Sequence, residues 1–290
     1  MIDIKRLRQD PEAVRGALRR RLDPSVDGIV DTLLDLDRRR RELLVEVEGL
    51  KASRNAATEE VARRKKAGEP ADDLLATLKA SGEKVKGLDA EVREIDARLD
   101  ELLLNVPNLP HPGSPDGDAE SNRVVRTWGE RPQFDFEPRP HWELGEWLGL
   151  FDLPRGAKIS GSGFPVFTGT GARLVRALVN FMLDLHTVEH GYTEICPPFL
   201  VNRATMTGTG QLPKFAEDAY TVVSDDLYLI PTAEVPLTNL HRDEILDAHQ
   251  LPVALVAWTP CFRREAGAHG KDTRGLIRVH QFDKVELVRL

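Results

Sequence analysis

Residues 253–290 read VALVAWTPCFRREAGAHGKDTRGLIRVHQFDKVELVRL. Two strand-like runs, Val253 to Arg264 and Leu276 to Leu290, flank a polar, glycine-rich segment from Ala266 to Gly275. Such runs joined by such a segment predict a long antiparallel hairpin. Side chains alternate faces along a strand. In the first strand Arg263 and Glu265 share a face. In the second, Arg278, His280, Phe282, Lys284 and Glu286 share one, and Ile277, Val279, Val285 and Leu287 point the other way, where they can pack a core.

Charge alternation alone describes a solvated sheet with cross-strand ion pairs. The mixture argues for more. A Phe between an Arg and a Glu is unusual on a solvated face, and the loop's three glycines let backbone approach a ligand closely. An Arg fork grips phosphate, a Phe stacks on a nucleobase, and a carboxylate accepts from an amine or ammonium. Together they describe a site for a nucleotide plus an amine-bearing substrate.

Working upstream, Ile230-Pro231-Thr232-Ala233-Glu234 has two readings. In an extended segment Thr232 and Glu234 point the same way and can hold a small ammonium and hydroxyl. The same letters also start a helix with Thr as N-cap. Both can hold at once. Further back, Tyr192 to Cys196 reads as a strand closed by Pro197 and Pro198. A helix over Gly171 to Glu189 precedes it, with Leu174, Leu178, Phe181 and Leu185 on one face and Gly191 at its end. Pro107, Pro110, Pro112 and Pro115, with Gly113 and Gly117, mark a linker.

From Asp27 to Asn105 a different period rules. Leu33, Leu36, Arg40, Leu43, Val47, Leu50, Arg54, Ala57 and Val61 are spaced alternately three and four. So are Leu78, Val85, Leu88, Val92, Ile95, Leu99 and Leu102, with Ser81 or Gly82 filling the weak place. That is the seam of a coiled coil. Ala67-Gly68-Glu69-Pro70-Ala71 breaks the run, so the prediction is an antiparallel helical hairpin about 50 Å long, at ~1.5 Å per residue. Arg40 and Arg54 sit on the seam, where stems pack and charges escape sideways, or serve a phosphate-binding surface. Arg63-Arg64-Lys65-Lys66 lies near the tip, as a solvated face or part of that surface.

A net charge of −7 does not advertise nucleic-acid binding, but local Lys and Arg clusters decide that, not the sum. Cys196 and Cys261 fit no ligand spacing and are expected to be buried, reduced thiols. No apolar run is long enough to cross a bilayer, and the N-terminus lacks a signal-peptide core, so a cytoplasmic protein is expected.

Phe262-Arg263-Arg264-Glu265 and the ordered run Asp272 to Glu286 resemble motif 2 of the class II aminoacyl-tRNA synthetases in its seryl-specific form. His190 through Pro198 resembles motif 1. Gly208-Thr209-Gly210-Gln211-Leu212-Pro213-Lys214-Phe215 and Thr232-Ala233-Glu234 are similar to further seryl-tRNA synthetase blocks. The resemblance spans the whole chain. It implies an α+β fold: a tRNA-binding domain over 1–110, with a coiled-coil arm about 27–104, then a class II core over 111–290. That core would be a mixed, mostly antiparallel sheet flanked by helices, with motif 1 about 171–198 and motif 2 about 253–290.

The implied roles are specific. Arg263 would bind the α-phosphate of ATP, with Arg264 beside it and Glu265 toward the adenine amine. Phe282 would stack on adenine, and Val279 would contact ATP through its backbone. Thr232, Ala233, Glu234 and Glu286 would hold L-serine. Arg278 would lie beside the reacting carboxylate and phosphate, making Arg263 and Arg278 the catalytic pair. The reaction implied is ATP-dependent activation of serine and transfer to tRNA(Ser), with tRNA(Sec) as a further acceptor, with Mg²⁺ on the phosphates and no metal ligand from this chain. Arg40, Arg54, Arg63, Arg64, Lys65 and Lys66 would face tRNA, and the motif 1 region would form a homodimer interface.

The family continues past motif 2 to a third motif that supplies a γ-phosphate Arg together with metal and serine ligands. Ending at Leu290, the chain is expected to lack those strands, expose a sheet edge and show no turnover. The alternatives are a tRNA-binding relative without activity and a serine-activating ligase for a carrier protein, against which the long arm argues.

Overall fold

The three–four alternation in the N-terminal half builds two long antiparallel helices, α3 (Val26–Ala67) and α4 (Asp72–Asn105). They appear in a computed structural model that describes residues 2–265 and 274–290. Gly68 caps α3 in the left-handed conformation, φ 75°, which glycine adopts without a Cβ clash. Val30, Leu33 and Leu43 pack with Val92, Ile95, Leu99 and Leu103 in one core. Ion pairs flank the seam, from Arg39 to Glu91, Arg40 to Asp96, Lys51 to Asp89 and Lys84 to Glu46. Positions 39 and 40 of α3 meet 91 and 96 of α4, and positions 46 and 51 meet 84 and 89, as in an antiparallel hairpin.

Two short helices that the periodicity did not announce, α1 (Ile4–Gln9) and α2 (Pro11–Arg19), pack Leu7, Val14 and Leu18 onto the base of this hairpin. They also change the seam. Asp37, not Leu36, is the buried residue of its turn, because Arg8 of α1 reaches it with two hydrogen bonds of 2.8 Å and Arg41 adds one of 3.1 Å. Arg54 is exposed, since the seam between Leu50 and Val61 is loosely covered.

The chain divides into two compact units, Met1–Trp128 and Gly129–Leu290, and residues 111–139 are exposed throughout. In the second unit come α5 (His141–Trp147), β1 (Phe151–Asp152), α6 (Leu153–Ser160), β2 (Val166–Phe167) and α7 (Gly169–Asp184), which runs into a π turn over Leu185–Glu189. β3 (Thr193–Glu194), β4 (Leu200–Asn202), α8 (Arg203–Gly208), β5 (Thr221–Val222), β6 (Leu227–Leu229), α9 (Glu234–Asn239), β7 (Ala254–Phe262) and β8 (Gln281–Arg289) follow. One sheet has the order β3-β7-β8, parallel then antiparallel, and a second has the antiparallel order β4-β6-β5.

Several expectations are corrected. The second hairpin strand starts at Gln281, not Leu276. The amides of Leu276 and His280 turn instead to the His141 ring and the Gly163 carbonyl. Ile277 and Leu287 do not enter a core, because α7 reaches only the Val279–Val285 part of that face, across an apolar cleft of about 230 Å³. Leu174, Leu178 and Phe181 of α7 are 50–63% exposed, and Leu178 also lines that cleft with Val175, Val179 and Met182. Cys196 is exposed, just past the short β3, and only Cys261 is buried. The glycine loop from Ala266 to Thr273 lies outside the described residues.

Candidate active site

The β7–β8 register fixes which side chains meet. Ala257 pairs with Glu286, Thr259 with Lys284 and Cys261 with Phe282, and the ladder continues to Arg263 and His280. Opposed residues share a face. On β7 that face is small and fully buried, so Glu286, Lys284, Phe282 and Arg263 stand over a flat floor. Burial pushes the Cys261 thiol up, so it stays protonated, a floor atom rather than a nucleophile. The Arg263 guanidinium lies 5.2 Å from the centroid of the Phe282 ring, and its Nε donates to the Pro231 carbonyl at 3.3 Å.

α9 places the serine-motif residues. Ala233 and Leu237 bury against Leu255 and Ala257, which seats the helix start over the site face. Pro231 to Ala233 turn into the helix rather than running extended, so Thr232 and Glu234 part company: Thr232 is buried and Glu234 exposed. The helix cap falls on Ala233, one residue after Thr232, whose hydroxyl still accepts weakly from the Glu234 amide at 3.3 Å. That hydroxyl donates to Glu286 Oε2 at 2.7 Å and accepts from Lys284 Nζ at 2.6 Å.

Beside this network opens a cavity of about 330 Å³ lined by Gln211, Phe215, Asp218, Arg263, Glu265 and Arg278. Arg278 donates to Glu265 Oε2 at 2.8 Å. Glu265 sits at φ 49°, a left-handed conformation costly for a side chain with a Cβ, and this turns the chain out of β7. The cavity thus gathers Arg263, Glu265 and Arg278, with Phe282 beneath Arg263. Arg264 is directed elsewhere: its amide donates to the Asp218 carbonyl and its guanidinium lies 5.9 Å from the Tyr220 ring. Val279 is buried toward α7, and Ala233 is buried under α9.

Three residues given no role by the sequence hold this arrangement. His280 stacks near Phe164 at 5.2 Å and bonds the Arg263 carbonyl at 3.0 Å. Gly163 at φ 83° lets that ring in; a Cβ there would meet it at 2.5 Å. His141 accepts from the Leu276 amide at 2.9 Å and packs on Gly275, anchoring the end of the glycine loop. Lys284 is the third. A lone His carries no sequence signal for such work: His141 meets Leu276 across 135 positions, and Phe164, against which His280 packs, is also remote in the chain.

On the arm, Arg63 and Arg64 both bond Glu60 and hold its carboxyl down at about 2. Arg64 also bonds Asp73. Lys65 and Lys66 are exposed and form no ion pair among the described residues. Arg64, Lys65 and Lys66 lie in the last turn of α3, where cations suit the helix dipole. No group of three or more His, Cys, Asp or Glu able to hold a metal lies among the described residues, and no helix there is long and apolar enough to cross a membrane.

A mixed sheet whose antiparallel hairpin carries Arg, Phe and Glu on one face defines a class II aminoacyl-tRNA synthetase core. Residues 220–290 match the family described as tRNA synthetase class II core domain (G, H, P, S and T), and residues 1–110 match the Seryl-tRNA synthetase N-terminal domain. A serine–tRNA ligase of Exiguobacterium sibiricum is 54% identical over the whole chain, which covers 68% of that relative. The crystal structure of seryl-tRNA synthetase from Pyrococcus horikoshii complexed with ATP superposes with TM-score 0.89 at 39% identity, over 99% of this chain and 69% of that one. The cytoplasmic serine–tRNA ligase of Naegleria fowleri in complex with AMP gives TM-score 0.83 at 28% identity, over 99% and 70%. The chain belongs to the seryl-tRNA synthetase family and spans about two thirds of the length of these relatives.

Proposed function

We propose that this protein is a serine–tRNA ligase, activating L-serine with ATP to seryl-adenylate and passing the acyl group to the 3′ end of tRNA(Ser), and of tRNA(Sec) where one exists. The observation that carries this is the junction of two half-sites. A cavity with Arg263, Arg278 and Glu265 adjoins a half-buried Thr232–Lys284–Glu286 network on one strand face. The first suits a nucleotide phosphate, the second an amino acid. The relatives solved with ATP and with AMP support the nucleotide half.

No protein nucleophile is called for. Arg263 neutralises the α-phosphate, Arg278 leaves Glu265 to approach the reacting carboxylate and phosphate, and Phe282 receives the adenine ring. Glu265, once released, accepts from the adenine amine. Glu286 and Glu234 take the serine ammonium and hydroxyl. A site that hydrogen-bonds a hydroxyl rejects alanine, which leaves a buried polar group unpaired. Mg²⁺ is proposed as the counter-ion of the triphosphate, and the described side chains form no ligand cluster for it. The arm, through Arg40, Arg54 and Arg63 to Lys66, is proposed to face the tRNA backbone by shape and charge. A homodimer through the motif 1 region and a cytoplasmic location complete the reading.

The test is serine-dependent ATP–pyrophosphate exchange by the protein as expressed from its own gene. Arg263→Ala is expected to lower kcat/KM by about a hundredfold, as for loss of one donor to a charge-developing oxygen. Absence of serine-dependent exchange sinks the ligase and leaves the tRNA-binding reading; exchange that survives Arg263→Ala overturns the role given to Arg263.

A further inference from the structure

We infer that Lys284 is a positioning residue for the amino-acid half of the site, locking Thr232 and Glu286 so that one oxygen of Glu286 is presented to substrate. The inference rests on the serine reading above and deepens it.

A threonine hydroxyl has one proton and two lone pairs. In Thr232 all are committed: the proton to Glu286 Oε2, the lone pairs to Lys284 Nζ and the Glu234 amide. Thr232 is 3% exposed and has no capacity left for a ligand. Its part in recognition therefore runs through Glu286. Lys284 also forms an ion pair with Glu286, on the same Oε2 that Thr232 uses. Both partners hold one oxygen, so Oε1 is the acceptor left for an incoming ammonium or hydroxyl.

Charge explains why a lysine stands here. Without it, Glu286 would be a half-buried carboxylate free to turn either oxygen to any cation. Lys284 is opposite Thr259, which is fully buried, so the ammonium has no route into the floor and stays over the site face. A purely structural ion pair would need only Lys and Glu. The shared hydroxyl makes the contact directional.

Lys284→Met and Lys284→Gln are compared with the unaltered protein, as expressed from its own gene, in ATP–pyrophosphate exchange with serine and with alanine. Loss of a charge-assisted hydrogen bond predicts that KM for serine rises about tenfold while KM for ATP stays within about twofold. The preference for serine over alanine in kcat/KM is expected to fall, and Lys284→Arg to recover part of the serine KM. Unchanged serine KM and unchanged preference, with only a lower melting temperature or a lower kcat for both amino acids, would make Lys284 a structural ion pair and overturn the inference. If the unaltered protein itself shows no serine-dependent exchange, the serine reading falls and this assignment with it. Normal exchange with an unresponsive Lys284 removes this assignment alone.

Discussion

At the scale of single residues, Asp37 is the clearest case of a charge that tertiary contact makes possible. It is 2% exposed, on a helix seam where an apolar residue is the usual choice. Burial alone would push its carboxyl up, but the hydrogen bonds and charges of Arg8 and Arg41 outweigh that and hold it below the ordinary value. A depressed folded-state value stabilises above the unfolded value, near pH 4, and the gain fades as pH falls through the lower folded value. Asp37→Asn is therefore expected to cost about 2 kcal/mol near neutral pH, as for a lost hydrogen bond to a charged group, and less at acid pH. Far-UV circular dichroism in urea at two pH values checks it; an equal cost at both would remove the ionic account. Leu36 was the seam residue by spacing. Asp37 took the place because α1 brings Arg8 there, and that contact joins residues 29 positions apart.

At the scale of elements, the arm is what its period announces, down to the glycine that ends α3. One flaw was also legible, the weak seam place at Ser81 or Gly82. The Ser81 hydroxyl is buried and has no hydrogen-bond partner among the described residues. Ser81→Ala removes that cost and adds the better helix former, so a gain of about 1 kcal/mol is expected in the same unfolding measurement. A loss would show that the hydroxyl has a partner. The hairpin of β7 and β8 shows the opposite balance. Parity placed Arg263, Phe282, Lys284 and Glu286 on one face, because a period of two is local. It failed at Leu276 to His280, where the amides of Leu276 and His280 bond to His141 and to Gly163 instead of a strand partner.

At the scale of the whole molecule, the row of Leu174, Leu178 and Phe181, continued by exposed Val188, leaves apolar helix surface in water. A row of this kind suits the homodimer interface proposed for the motif 1 region. With the proposed homodimer it predicts that Phe181→Asp shifts the protein from dimer to monomer in sedimentation velocity, with its circular dichroism spectrum retained. A variant that stays dimeric moves the interface elsewhere.

By itself the sequence determined the period of each element, and with it the arm, the hairpin, the residues that share its candidate-site face and the family. Those are local or near-local properties, set by spacing along one helix or one strand. Only the tertiary structure decided which polar groups are already taken. Thr232 is saturated by Lys284 and Glu286, Arg278 is paired with Glu265, Arg264 is turned to Tyr220, and two histidines hold the ends of the glycine loop and of β7. Hydrogen bonds form between atoms that meet, and chain separation says nothing about which atoms those are.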